Sequence, residues 1–214
     1  MHPLPAEYVH YLTRIHEQHG NETDFFHLAR ALGIRVLPGS SNAYFPGPTP
    51  TITLFAGIYS GRLAHQIGMH EVAHHLLRQG GYEREILRLH GTWPDAEDTI
   101  ERVARLGAAY LLVPETMVKD ARRLHGDTAQ AVLHLHKHSV APLRTVLRRW
   151  VHNDETASRA AWLMTNRIVS DLAAQNMALP FTYYDQLPYV PRSANPTYTN
   201  LPGSNTRQIG VCWA

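Results

Sequence analysis

Residues 62–78, RLAHQIGMHEVAHHLLR, constrain this chain more than any other stretch. Leu63, Ile67, Val72, Leu76 and Leu77 recur at helical period, and Gly80-Gly81 stop the pattern. Within it stands His70-Glu71-Val72-Ala73-His74, an H-E-x-x-H. On a helix, positions i and i+4 lie one above the other, so both imidazoles reach a single Zn²⁺ and Glu71 is set beside them to hold a water. Zinc makes that water acidic, and a neighbouring glutamate takes its proton as it attacks a peptide carbonyl. The fold must therefore bury the apolar side of this helix and leave its histidine side open.

A catalytic zinc site wants a third protein ligand and an open position. His90, Asp95, Glu97, Asp98 and Glu101 are the candidates downstream. All but His90 fall on a long amphipathic pattern from Pro94 or Asp95 to Val113, where Glu97 and Glu101 are i,i+4 neighbours. Asp95 and Glu97 have an ordinary role as first-turn acids complementing the helix dipole; Glu101 lies deeper and needs another reason. The chain's single cysteine, Cys212, excludes a multi-cysteine metal site and an internal disulfide, so a metal here must use histidine and carboxylate.

Around these segments, residues 5–19 read as a helix carrying Tyr8, Leu12 and Ile15, and a second helix from Phe25 to Leu32 is capped by Thr23 or Asn21. Short strands are expected at 34–37 and 51–55, joined by a loop over 38–50. Helices follow at about 115–125, 128–138, 142–152 and 155–176, and then a tail rich in proline and tyrosine. The expected class is α+β: a small sheet packed on the H-E-x-x-H helix, with a mostly helical C-terminal half. The expected division is a core over 1–126, a helical extension over 127–176 and an extended arm over 177–214.

The pairing of HEVAHHLL (His70 to Leu77) with ERVARLGAAYLLVP (Glu101 to Pro114) resembles the ImmA/IrrE family of metallopeptidases, itself similar to gluzincin-like zinc proteases. FFHLARALGIRV (25–36) and TITL (51–54) fit the same pattern, and the resemblance covers roughly residues 5–150. It implies His70, His74 and Glu101 as ligands of one Zn²⁺ per chain, with Mn²⁺ or another divalent metal as an alternative, and Glu71 as general base. It departs from the family at Ala73, Arg105 and Gly107, where glycine, asparagine and phenylalanine are usual. Gly107 costs on the order of 1 kcal/mol against alanine in a helix, and it removes a core side chain, so the packing of the two helices is expected to differ. As substrate the resemblance implies a Cro/CI-type helix-turn-helix repressor, cut in regulatory proteolysis that controls stress-response or mobile-element genes.

Residues 131–150 have helix-turn-helix spacing of their own, with Arg144, Arg148 and Arg149 expected outward. Residues 101–150 carry 9 basic and 4 acidic side chains, but the net charge of the chain is only +2, which gives little drive toward DNA. Nucleic acid is not the expected ligand; the arginines read as a solvated or partner-docking face. The rival reading is a binding module that keeps the metallopeptidase fold and docks a repressor or DNA without cutting. Tyr110, His75 or a tyrosine of the tail could donate to an oxyanion. A second metal site is not expected among the other histidines, since His134, His136 and His138 cannot all share one helical face. Cys212 reads as incidental to the site. With no long apolar stretch and no basic-then-apolar leader, a cytoplasmic protein that does not enter membranes is expected.

Overall fold

In the computed structural model, which describes residues 4–58, 61–90, 93–154, 156–186 and 195–213, the chain divides into two units, Met1–Pro114 and Glu115–Ala214. The first unit begins with α1 (Leu4–Gln18), whose Tyr8 and Leu12 are fully buried, and turns through Gly20 and Asn21, both at positive φ. Helix α2 (Phe25–Ala31) is capped by Asp24, whose carboxylate accepts from the His27 N–H at 3.0 Å. Asp24, rather than Thr23 or Asn21, is thus the cap, because it alone precedes the first helical residue.

Strands β1 (Arg35–Gly39), β2 (Ala43–Phe45) and β3 (Thr51–Phe55) form a sheet of order β1-β3-β2. β1 runs parallel to β3 and β2 antiparallel to it, so Ile52 is opposite both Val36 and Tyr44. β2 lies inside the stretch expected to be loop. Ile52 and Leu54 are fully buried, and β3 and β2 pack on α3 (Arg62–Gln79). Helix α3 ends at Gly80-Gly81, where Gly81 takes φ +80. Helix α4 (Tyr82–His90) follows, and α5 (Trp93–Leu112) lies against both α3 and α4. Leu76 and Leu77 of α3 and Val103, Ala104 and Leu111 of α5 are buried, each buried leucine-sized side chain being worth about 1.5–3 kcal/mol.

The second unit opens with α6 (Glu115–His125), α7 (Ala129–His138) and α8 (Leu143–Val151), so the chain is helical from α4 to α8. α6 packs on α7 and belongs to this unit, whereas the sequence reading grouped it with the first. The helix expected over 155–176 is instead a hairpin, β4 (Arg159–Thr165) and β5 (Ile168–Gln175). Its turn residues Asn166 and Arg167 both take positive φ, the geometry that matches strand twist in a two-residue hairpin. β4 is central in a sheet of order β5-β4-β7-β6, with β6 at Thr197–Asn200 and β7 at Arg207–Trp213. Buried on both faces, its AAWLM run has neither strand nor helix period, which is why composition pointed to a helix.

Part of the expected arm is therefore sheet, and its residues 187–194 lie outside those described. Gly210 stands opposite Trp162, where any Cβ would overlap the indole. Cys212 is buried with Trp162, Met164 and Phe181, its Sγ 3.3 Å from Met177 Sδ, and burial pushes the thiol up to about 11. Among the described residues no helix is long and apolar enough to cross a membrane.

Candidate metal centre

One face of α3 is apolar and buried (Met69, Val72, Ala73, Leu76), and that burial fixes the rotation of the helix. His70 and His74, one turn apart, then face α5, where Glu101 meets them. His70 Nε2 and His74 Nε2 are 3.2 Å apart. The Glu101 carboxylate lies 3.4 Å from the first through Oε2 and 3.0 Å from the second through Oε1. A tetrahedral ion about 2.0–2.1 Å from nitrogen donors separates neighbouring donors by about 3.3 Å, so this triangle has the size of one face of such a coordination shell. Burial holds both imidazoles below their usual pKa, which keeps their lone pairs free at neutral pH. Two neutral nitrogens and a carboxylate are the donor set of a zincin-like, gluzincin-type cluster, and they form a candidate divalent-metal site.

Glu71, adjacent to His70 and three residues before His74, stands partly buried beside this cluster. Burial first, and then the Glu101 carboxylate, push its carboxyl up to about 7. A carboxylate beside the cluster can accept a proton and return it. Arg105, one turn beyond Glu101, places a guanidinium nitrogen 3.5 Å from Glu101 Oε2. The sequence treated Arg105 only as a departure from a pattern; its i,i+4 spacing from Glu101 was the signal for this contact.

The position of Gly107 also has a structural account. A Cβ there would lie 2.6 Å from Tyr8 Oη and 2.9 Å from Leu12 Cδ1, so α1 fills the space that a larger residue would take. Tyr8 Oη donates to the Ala73 carbonyl at 2.7 Å, which ties α1 to the ligand helix as well. The fully buried tyrosine thus contacts both ligand-bearing helices.

Other candidate residues lie elsewhere. His75 turns to the sheet, where its Nδ1 is 3.0 Å from the Tyr44 hydroxyl, and its buried Nε2 has no hydrogen-bond partner among the described residues. Tyr110 is nine residues beyond Glu101, about 13 Å along the axis of α5 and on the opposite side of it. His65 accepts the Phe25 N–H at 3.1 Å and so anchors the start of α2.

In the second unit, Arg149 does not face outward as expected. It is buried, with Nη2 2.9 Å from Glu115 and a second contact to Asn153, because α8 turns that side toward α6. Arg144 and Arg148 are outward but both meet the buried carboxylate of Asp171 on β5, at 2.9 and 3.6 Å. Helix α8 packs on β4 and β5, and its Val146, Leu147, Trp150 and Val151 are buried.

Neither a protein-family model nor a curated protein sequence matches the chain. Among solved structures it is similar to one described as a Mycobacterium tuberculosis transcriptional regulator, with a TM-score of 0.56 and 13% identity, over 99% of this chain and 76% of that chain. At that identity the likeness is one of fold.

Proposed function

We propose that this protein is a cytoplasmic zinc-dependent endopeptidase that performs regulatory proteolysis, with a Cro/CI-type helix-turn-helix repressor as its substrate. The observation that carries the reading is the His70–His74–Glu101 triangle with Glu71 beside it. His70, His74 and Glu101 would hold a divalent metal, which would supply Lewis acidity toward a water and a peptide carbonyl. Glu71 accepts the proton of the attacking water and returns it to the leaving amine. Glu101 brings the negative charge that a cation between two neutral imidazoles requires, and Arg105 sits where it can balance that charge. β2 is an edge strand packed on α3, so its free side offers backbone pairing to an extended substrate segment.

The repressor as target rests on the ImmA/IrrE resemblance of residues 70–77 and 101–114. The name of the similar solved structure, a transcriptional regulator, agrees with gene control as the setting. Docking of a repressor or DNA through Arg144, Arg148 and Arg149 has less support. The last is buried on Glu115, and the other two are engaged by Asp171.

The test is to incubate the zinc-loaded protein with a helix-turn-helix repressor encoded beside its gene. The wild type cuts the repressor at a defined site; Glu71→Gln keeps the metal and loses about 10²–10⁴-fold in rate. His70→Ala loses both metal and cutting. Cleavage by Glu71→Gln at the wild-type rate would remove the peptidase reading.

A further inference from the structure

Arg105 stands one turn beyond Glu101 on α5, at the rim of the candidate metal centre. Val103, Ala104, Gly107 and Ala108 are buried, so the rotation of α5 that turns them inward carries Glu101 and Arg105 to the open side together. The Arg105 side chain is 73% exposed, against 23% and 17% for His70 and His74. One guanidinium nitrogen lies 3.5 Å from Glu101 Oε2, beyond the roughly 2.7–3.2 Å of an N–H···O hydrogen bond, so the fork keeps its donors for an incoming group. Its charge is felt at the ligands all the same. Burial is the main reason that both imidazoles titrate low, and Arg105 adds to the shift at each.

We propose that Arg105 is a substrate-binding residue, whose guanidinium holds the side-chain carboxylate of an aspartate or glutamate within about two residues of the scissile peptide. The inference rests on the proteolytic reading and names the class of segment that the site accepts. Without a cation, the guanidinium balances Glu101. A divalent ion held by His70, His74 and Glu101 would more than cancel that carboxylate, leaving Arg105 as an uncompensated positive charge on an open rim. A planar fork takes a carboxylate through two parallel N–H···O bonds, which a point charge cannot do. The separation also fits. The width of one carboxylate, that of Glu101, lies between the Arg105 nitrogen and His70 Nε2. An extended substrate advances about 3.3 Å per residue, so an acidic side chain on the guanidinium belongs to a residue beside the scissile bond or the next one along. Arg102 does not compete for this role: it is turned about 60° to the other side of Glu101 from Arg105's neighbours and donates to Thr99 Oγ1 at 3.1 Å.

The test reads binding apart from cutting. Zinc-loaded Glu71→Gln protein is immobilised and given a synthetic mixture of random octapeptides with amidated C-termini, so that side chains supply the only carboxylates, and the retained peptides are sequenced by mass spectrometry. Aspartate and glutamate are enriched among them. In the same background Arg105→Met loses the enrichment, Arg105→Glu replaces it with lysine and arginine, and Arg105→Lys keeps it in part. A single retained peptide binds about tenfold more weakly when its acidic residue becomes the amide or when Arg105 becomes Met. Zinc content is measured for each variant, and Arg105→Met carries the test if the charge reversal costs the metal. Arg102→Glu, a charge change on the same helix, keeps the parent's preference. Enrichment unaltered in Arg105→Met overturns the proposal, as does a parent that retains acidic peptides no better than the mixture supplies them, or an equal loss in Arg102→Glu. Enrichment that depends on Arg105, in peptides that the zinc-loaded wild type leaves uncut, keeps the carboxylate site and removes the peptidase reading. Cutting without any Arg105-dependent preference does the reverse.

Discussion

A histidine buried without charge makes a fold sensitive to acid, and His16 is in that position. It lies at the end of α1, buried, with Nε2 donating to the Glu22 carbonyl at 2.7 Å. Burial lowers its pKa, while the Glu22 carbonyl opposes the shift. The unfolded chain then binds a proton near pH 6.5 that the folded chain refuses. The stability contributed by the neutral ring is complete above that value and is lost as pH falls from there toward the lower folded pKa. The denaturation midpoint should therefore drop between pH 7.5 and 5.5, and His16→Gln should show a smaller drop. Identical pH profiles would show that His16 is not the group responsible. Nothing local in the sequence marks His16 as buried and His19 as more open, because the distinction depends on where the turn to Glu22 folds back.

Elements meet through the residues that are too small as much as through those that are large. Gly107 weakens α5 by propensity, yet its missing Cβ is what admits Tyr8 and Leu12 of α1. Gly107→Ala should thus destabilise by about 1–3 kcal/mol in urea denaturation, the overpacking cost exceeding the gain in helix propensity. A stabilised variant would mean that α1 yields easily and that the contact is not specific. The same dependence on partners explains the hairpin β4–β5. Ala, Leu, Met and Trp are acceptable in a helix, and only the pairing of β4 with β5 on one side and β7 on the other makes them strand. Likewise α8 has the outline of a recognition helix, but most of it is buried where it packs on β4 and β5, and the outward Arg144 and Arg148 are engaged by Asp171.

At the scale of the molecule, the candidate metal centre draws all three of its ligands from the first unit. Metal binding should stabilise that unit by mass action, by about 4 kcal/mol at a thousandfold excess over the dissociation constant. Hydrogen exchange is the measurement, because it reads α3 and α5 separately from the second unit. Zn²⁺ should raise protection of the α3 and α5 amides in the wild type and leave it unchanged in His70→Ala. Equal protection in both would place the metal somewhere other than between those helices.

The H-E-x-x-H helix, its two histidines on one face, the α+β class and the helices from α5 to α8 were legible in the sequence, because each follows from periodicity or from i,i+4 spacing within a single segment. Glu101 was one of several acids until a family pattern singled it out, and only the packing of α5 on α3 brings its carboxylate to both imidazoles. The second sheet, the burial of Arg149 and the role of Gly107 were decided by tertiary structure. Each depends on a partner distant in sequence or on the direction of a turn, and no local pattern encodes where that partner will lie.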